Sequence, residues 1–204
     1  MAGRIITARH GRPNLSRDMR ISARAYGDWW KRYDASGLHP DETPPAALVK
    51  LAEGARTVLS STLPRAVETA RQVTRGRRPV PADALFVEAP LPPPPVPYLR
   101  LRPGQWGVVS RAFWSLGFAP TGVEPVRATW ARVDEIVGVL GRHAAEGDVL
   151  LCAHGYLNWM IHRRLLRRKW SLREQDGGHH YWSWRVYEPP ADAASNPALR
   201  EAAE

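Results

Sequence analysis

Apolar residues change their period several times along the chain. Arg4-Ile5-Ile6-Thr7-Ala8 is a short β-branched run that breaks at Arg9-His10-Gly11-Arg12-Pro13, the pattern of a strand entering a loop. Between Ser16 and Ser36, Tyr26, Trp29, Trp30 and Tyr33 recur at steps of three and four, which predicts a helix with one aromatic face, closed by Gly37. These rings are read as core rather than as a ligand platform. A short helix over Ala46–Glu53, a strand over Thr57–Ser60 and a helix over Leu63–Thr74 follow, the last tolerating Pro64 in its first turn. Val80–Val87 reads as extended, and the proline run from Pro90 to Pro97 can be neither helix nor interior strand. Helices are expected over Gln105–Leu116 and Glu124–His143. The most apolar strand, Val149–Ala153, then stops at His154-Gly155. A helix over Tyr156–Arg168 and a strand over Tyr181–Tyr187 complete a domain placed at residues 1–188, with 189–204 expected to be a flexible tail.

Strands separated by helices predict an α/β fold, a three-layer α/β/α sandwich with a mostly parallel central sheet. Ligands of such folds collect beyond the carboxyl ends of the strands, where both His10 and His154 fall. Composition narrows the class. The chain has 204 residues, 44% of them hydrophobic and 24% charged, in the range of globular domains and unlike disordered or fibrous chains. One cysteine, Cys152, excludes a disulfide scaffold, and no apolar run approaches the ~18 residues of a membrane span. With no signal-like start, the expected location is cytoplasmic. Lysine and arginine exceed the acids by 29 − 20 = 9, and only Lys31, Lys50 and Lys169 are lysines. An arginine excess suits an anionic ligand, because the guanidinium binds phosphate or carboxylate through two parallel donors.

Three segments carry the chemistry: Ala8-Arg9-His10-Gly11-Arg12-Pro13, Ser60-Ser61-Thr62-Leu63-Pro64-Arg65-Ala66-Val67-Glu68-Thr69-Ala70, and Val149–Ala153 running into His154-Gly155. Phosphoryl transfer to nitrogen needs a neutral imidazole in line with the leaving oxygen and cations around the phosphoryl oxygens. Taken together, the segments resemble the histidine phosphatase, or phosphoglycerate mutase-like, superfamily in its smaller branch, over residues 4–187. The resemblance implies a phosphomonoesterase that works through phosphohistidine on His10. It further implies phosphate binding by Arg9, Arg65 and His154, with Arg12 as an added candidate. Glu88, after Leu85-Phe86-Val87, stands where the family places its acid, and Asp83 competes for that role. A leaving alkoxide needs such a donor.

Two departures matter. Mutases follow Arg-His-Gly with Glu, a small hydroxyl residue and Asn, whereas here Arg12, Pro13, Asn14, Leu15 and Ser16 follow; the proline run also replaces the usual Gly-x-aromatic-x-Gly. A phosphoglycerate-type mutase and a weakly catalytic phosphate- or acidic-ligand-binding regulatory protein are therefore kept as alternatives. No cofactor and no metal are expected. Adjacent His179-His180 read as a surface or pocket-rim loop, and the basic stretch Arg163–Lys169 as a solvated helix end. The expected partner is a phosphorylated substrate, with a homodimer as a further option; nucleic acid is disfavoured and no membrane is involved.

Overall fold

The structure is a computed structural model that describes residues 2–191. In chain order its elements are β1 (Ile5–Arg9), β2 (Ile21–Ser22), α1 (Ala23–Ala35), α2 (Ala46–Gly54), β3 (Thr57–Ser61), α3 (Pro64–Val73) and β4 (Ala82–Asp83). After a 3₁₀ turn at Ala84–Phe86 come β5 (Arg100–Leu101), α4 (Pro103–Ser115), α5 (Val126–Glu146), β6 (Val149–Ala153), α6 (Gly155–Arg167), β7 (Ser171–Asp176) and β8 (Trp184–Glu188). Six strands form one sheet in the order β4-β3-β6-β1-β8-β7. The first four are mutually parallel, and β8 and β7 add an antiparallel edge.

Period-two alternation divides the central strands between two cores. Val149, Leu151 and Ala153 of β6 join Ile5, Val133, Ile136, Leu140, Met160 and Ile161 beneath α5 and α6. Leu150 and Cys152 face the other way and join Ile6, Ala8, Leu48, Ala52, Ala70 and Val73 beneath α2 and α3. Helices thus cover both faces of a mostly parallel sheet, the three-layer α/β arrangement expected. Burial pushes the Cys152 thiol up to about 12, so it stays a protonated core group. Tyr26, Trp29, Tyr33 and Trp106 build a separate aromatic core between α1 and α4, outside the sandwich.

Several boundaries differ from the sequence expectation. Helix α1 starts at Ala23, where the Ser22 hydroxyl accepts the Ala25 N–H at 3.3 Å. Residues 16–20 fold back instead, since the Trp29 indole N–H donates to the Ser16 carbonyl at 3.0 Å. The extended segment shortens to β4, because Asp83 accepts the Leu85 N–H and winds the next residues into the 3₁₀ turn. Strand β8 begins three residues late, after Trp182 with φ +62°. Strand β7 was not foreseen: only Leu172 within it escapes full exposure, so an edge strand of polar residues shows no alternation. The tail expected beyond residue 188 lies outside the described residues from 192 onward. Among the described residues, no helix is long and apolar enough to cross a membrane.

Strand β6 lies between β3 and β1, and Leu150 is fully buried. Truncation to Ala should cost about 2–5 kcal/mol through lost transfer energy and residual cavity. The expected result is a lower urea midpoint with an unchanged denaturant slope.

Candidate active site

Register places the two histidines side by side. Arg9 pairs with Ala153 across β1 and β6, and the His10 N–H extends the ladder by donating to the Ala153 carbonyl at 3.0 Å. One residue beyond each strand end, the His10 and His154 rings lie 5.2 Å apart between centroids. Both are buried, at 2% and 0% exposure.

His10 is oriented by its neighbour. Its Nδ1 lies 2.7 Å from the Gly11 carbonyl, which can only accept, so Nδ1 carries the proton and Nε2 keeps its lone pair. The Arg65 Nε–H points at that lone pair at 3.3 Å. Arg65 enters from the first turn of α3 and is itself fully buried, donating to the Tyr33 carbonyl at 2.9 Å and to Asp34 at 3.0 Å. Burial, then Arg65 and Arg9, hold the His10 pKa well below its ordinary value of 6.5. Burial likewise dominates at His154, followed by His10, Arg65 and Arg9, and again the shift is well downward.

His154 caps α6, and its Nε2 is 2.8 Å from the Ser61 hydroxyl. That hydroxyl also accepts from the Leu63 N–H at 3.3 Å. The Nδ1 of His154 is buried with no partner among the described residues. Arg9 has a similar vacancy: Nη1 donates to the His179 carbonyl and the guanidinium stacks 4.6 Å from the Tyr181 ring centroid, while Nε is buried without a partner. Gly155 makes this seat possible, since a Cβ there would come within 3.1 Å of Arg9 Nε.

Arg9, His10, Arg65 and Glu88 line one cavity of about 510 Å³. His154 is not on its wall but packs directly behind His10. Trp30, Tyr33, Tyr156 and Trp159 line the cavity too. Glu88 is fixed by three backbone donors, Ala89 and Leu157 N–H to Oε1 and Tyr156 N–H to Oε2, so it also caps the first turn of α6. Arg132 of α5 holds the approach to it, donating to the Leu85 and Val87 carbonyls at 2.8 and 2.9 Å while gripping Glu124 with its other nitrogens.

Two sequence candidates lie elsewhere. Arg12 is bound to Glu42 through its backbone N–H at 2.8 Å and its Nε at 3.1 Å, and it does not line the cavity. Asp83 is exposed and occupied in capping the 3₁₀ turn. Conversely, Arg17 and Arg111 line the cavity although neither was singled out from the sequence. Arg17 lies over the Tyr33 ring, and Arg111 stacks 3.7 Å from the Tyr156 ring centroid. Arginine was too frequent in the chain for spacing to single them out. His179 is on the cavity rim, as its loop position implied.

Parallel strands that end in neighbouring histidines, under helices on both faces of the sheet, give the chain a fold it shares with several solved structures. Among solved structures it is similar to a mycobacterial glucosyl-3-phosphoglycerate phosphatase in complex with VO3, with a TM-score of 0.59 and 22% identity over 91% of this chain and 92% of that one. It is also similar to YhfR of Bacillus stearothermophilus, with a TM-score of 0.55 and 22% identity over 81% of each chain. A putative alpha-ribazole-5'-P phosphatase from Escherichia coli follows at 0.53, with 20% identity over 80% of each. No family model and no curated protein matches the chain in sequence.

The two buried imidazoles set a sign for acid sensitivity. Near pH 6.5 the unfolded chain protonates both, whereas the folded chain does so only at lower pH, so unfolding takes up protons and stability falls as pH drops below about 6.5. Each histidine should contribute about 1.4 kcal/mol per pH unit within that window. Urea titrations on either side of the window should show the fall, and His154→Gln should show a shallower one.

Proposed function

We propose that the protein is a phosphomonoesterase that forms a phosphohistidine on His10. The observation that carries this reading is the unprotonated Nε2 of His10, with the Arg65 Nε–H 3.3 Å away and an Arg9 Nε on the same cavity that has no partner among the described residues. In the first step Nε2 attacks phosphorus, the bond to the leaving oxygen breaks, and that oxygen takes a proton from Glu88. Arg65 Nε, released from the ring lone pair, donates to a phosphoryl oxygen, and so does Arg9, while His154, off the cavity wall, packs against His10 and makes no phosphate contact. In the second step water attacks phosphorus, its proton returns to Glu88, and the P–N bond breaks to free His10 and inorganic phosphate.

The electrostatics favour this guest. At about 4 Å and an effective dielectric of about 20, each guanidinium–phosphate contact is worth roughly 4 kcal/mol before desolvation. Arg65 is already dehydrated and held in place by Asp34 and the Tyr33 carbonyl, so little further ordering is required. Burial raises the Asp34 pKa against the pull of Arg65. We read the enzyme as metal-independent, because guanidiniums supply the charge stabilisation that a metal would otherwise give. Trp30, Tyr156 and Trp159 leave an apolar wall for the organic part of the ester.

His10→Ala should abolish turnover of p-nitrophenyl phosphate with the fold intact by circular dichroism; full activity in that variant would overturn the mechanism. Glu88→Gln separates the acid role from the binding role. It should slow hydrolysis of an alkyl phosphate by about 10²–10⁴-fold, because an alkoxide leaves badly unprotonated. Phosphorylation by p-nitrophenyl phosphate, whose leaving group needs little help, should fall far less, and Asp83→Asn should leave both substrates unaffected.

A further inference from the structure

We infer that Glu42 is a positioning residue for His10 and acts through Trp182, whose indole it pins against Gly11. Glu42 lies in the loop between α1 and α2, outside the cavity, with its side chain only 14% exposed. Its Oε2 accepts both the Arg12 backbone N–H at 2.8 Å and the Trp182 indole N–H, and its Oε1 accepts Arg12 Nε at 3.1 Å. One carboxylate therefore joins the segment just after His10 to the loop between β7 and β8. Burial alone would raise its pKa, but the donors from Arg12 and Trp182 outweigh that and lower it, so the tie stays ionised through neutral pH.

Trp182 transmits the constraint in two ways. Its indole packs against Gly11, where an added Cβ would meet ring atom Cζ2 at 2.4 Å, and its backbone N–H donates to the His10 carbonyl at 3.3 Å. Its φ of +62° is rare for a bulky side chain and persists only where surroundings impose it. From the opposite side, the Gly11 N–H donates to the Thr69 hydroxyl at 3.0 Å, and that hydroxyl donates to the Arg65 carbonyl at 2.7 Å. The Gly11 peptide is thus clamped between Trp182 and α3. Its carbonyl is the acceptor that fixes the His10 proton on Nδ1 and so keeps the Nε2 lone pair free. The same carboxylate holds Arg12 by its backbone N–H and Nε, off the cavity wall.

The kinetic part of this inference rests on the phosphohistidine reading, but the structural part does not, and the test is arranged accordingly. Ring ¹⁵N shifts of His10 should report a single Nδ1–H tautomer in the wild-type protein and a mixture in Trp182→Phe, which keeps an aromatic ring but has no N–H, and in Glu42→Ala. Should Glu42→Ala fail to fold, Trp182→Phe carries the test alone. In turnover of p-nitrophenyl phosphate, Trp182→Phe and Glu42→Gln should each lower kcat by up to about 10²-fold, the scale of a small misplacement of a reacting group, with KM changed little. Because both break the same tie, the double variant should lose much less than the product of the two. A retained single tautomer in Trp182→Phe, losses confined to KM, or losses that multiply independently would each overturn the inference. If the wild type forms no phosphohistidine, the functional reading fails while the tautomer measurement still decides the role of Glu42.

Discussion

Everything at the site depends on the parallel pairing of β1 with β6. The register that sets Arg9 opposite Ala153 also brings His10 and His154 abreast one residue later, from chain segments more than half the sequence apart. A slip of one residue would turn alternate side chains to the opposite face, exchanging Leu150 and Cys152 with Leu151 and Ala153 between two cores of different shape. Packing of the strands thus enforces the geometry of the rings. Strand β3 adds Ser61 at the same edge, where it fixes the second imidazole.

A concentration of guanidiniums in a buried crevice is costly unless each charge has somewhere to rest. Here Arg65 rests on Asp34 and a carbonyl, Arg9 on the His179 carbonyl and the Tyr181 ring, and Arg111 on Tyr156 and the Pro90 carbonyl. Burial lowers the Arg111 pKa, a sign that its surroundings are dry enough to strengthen the field. The two imidazoles are the groups that yield: both stay neutral, which removes two further positive charges and leaves the His10 Nε2 lone pair free. Charge pairing and that free lone pair are thus two results of the same burial.

What could be read from sequence divides along the same physical line. Strand ends with an abrupt Arg-His-Gly or His-Gly stop are local signals, and the parallel sheet turns them into spatial neighbours, so the fold and the grouping of Arg9, His10, Arg65 and Glu88 around one cavity were legible. Arg12 was not, because its partner Glu42 lies in a loop with no periodic pattern. Neither was Trp182: a positive φ inside an apparently alternating run, Tyr181 to Tyr187, leaves no mark in the residue types. The start of α1 was hidden because Ser16 and Ser22 are equally plausible caps by type, and only the reach of Trp29 back to the Ser16 carbonyl decides between them. Edge strand β7 has too few apolar residues to announce itself.

The same division explains why the phosphate end of the proposed substrate is more legible here than the alcohol attached to it. In the proposed reaction the phosphate lies against residues at strand ends and the first turn of α3, all anchored in the two sandwich cores. The other end meets Trp30 of α1, Leu91 of the proline run and Val108 and Arg111 of α4, elements that pack around the separate aromatic core and are not strapped to the sheet by any strand longer than two residues. Connecting segments of this kind change their shape and side chains without disturbing the scaffold beneath them. Glu88 stands at the boundary, lining both the phosphate cavity and a second one of about 690 Å³ whose walls include Leu63, Val87 and Pro93. It is tied to the scaffold by α6 backbone donors and by the Arg132 hold on its approach, so its position is set by the sandwich even though it faces the elements around the aromatic core. In the proposed reaction this keeps proton transfer in register with phosphoryl transfer, while the surface facing the alcohol is built on other elements.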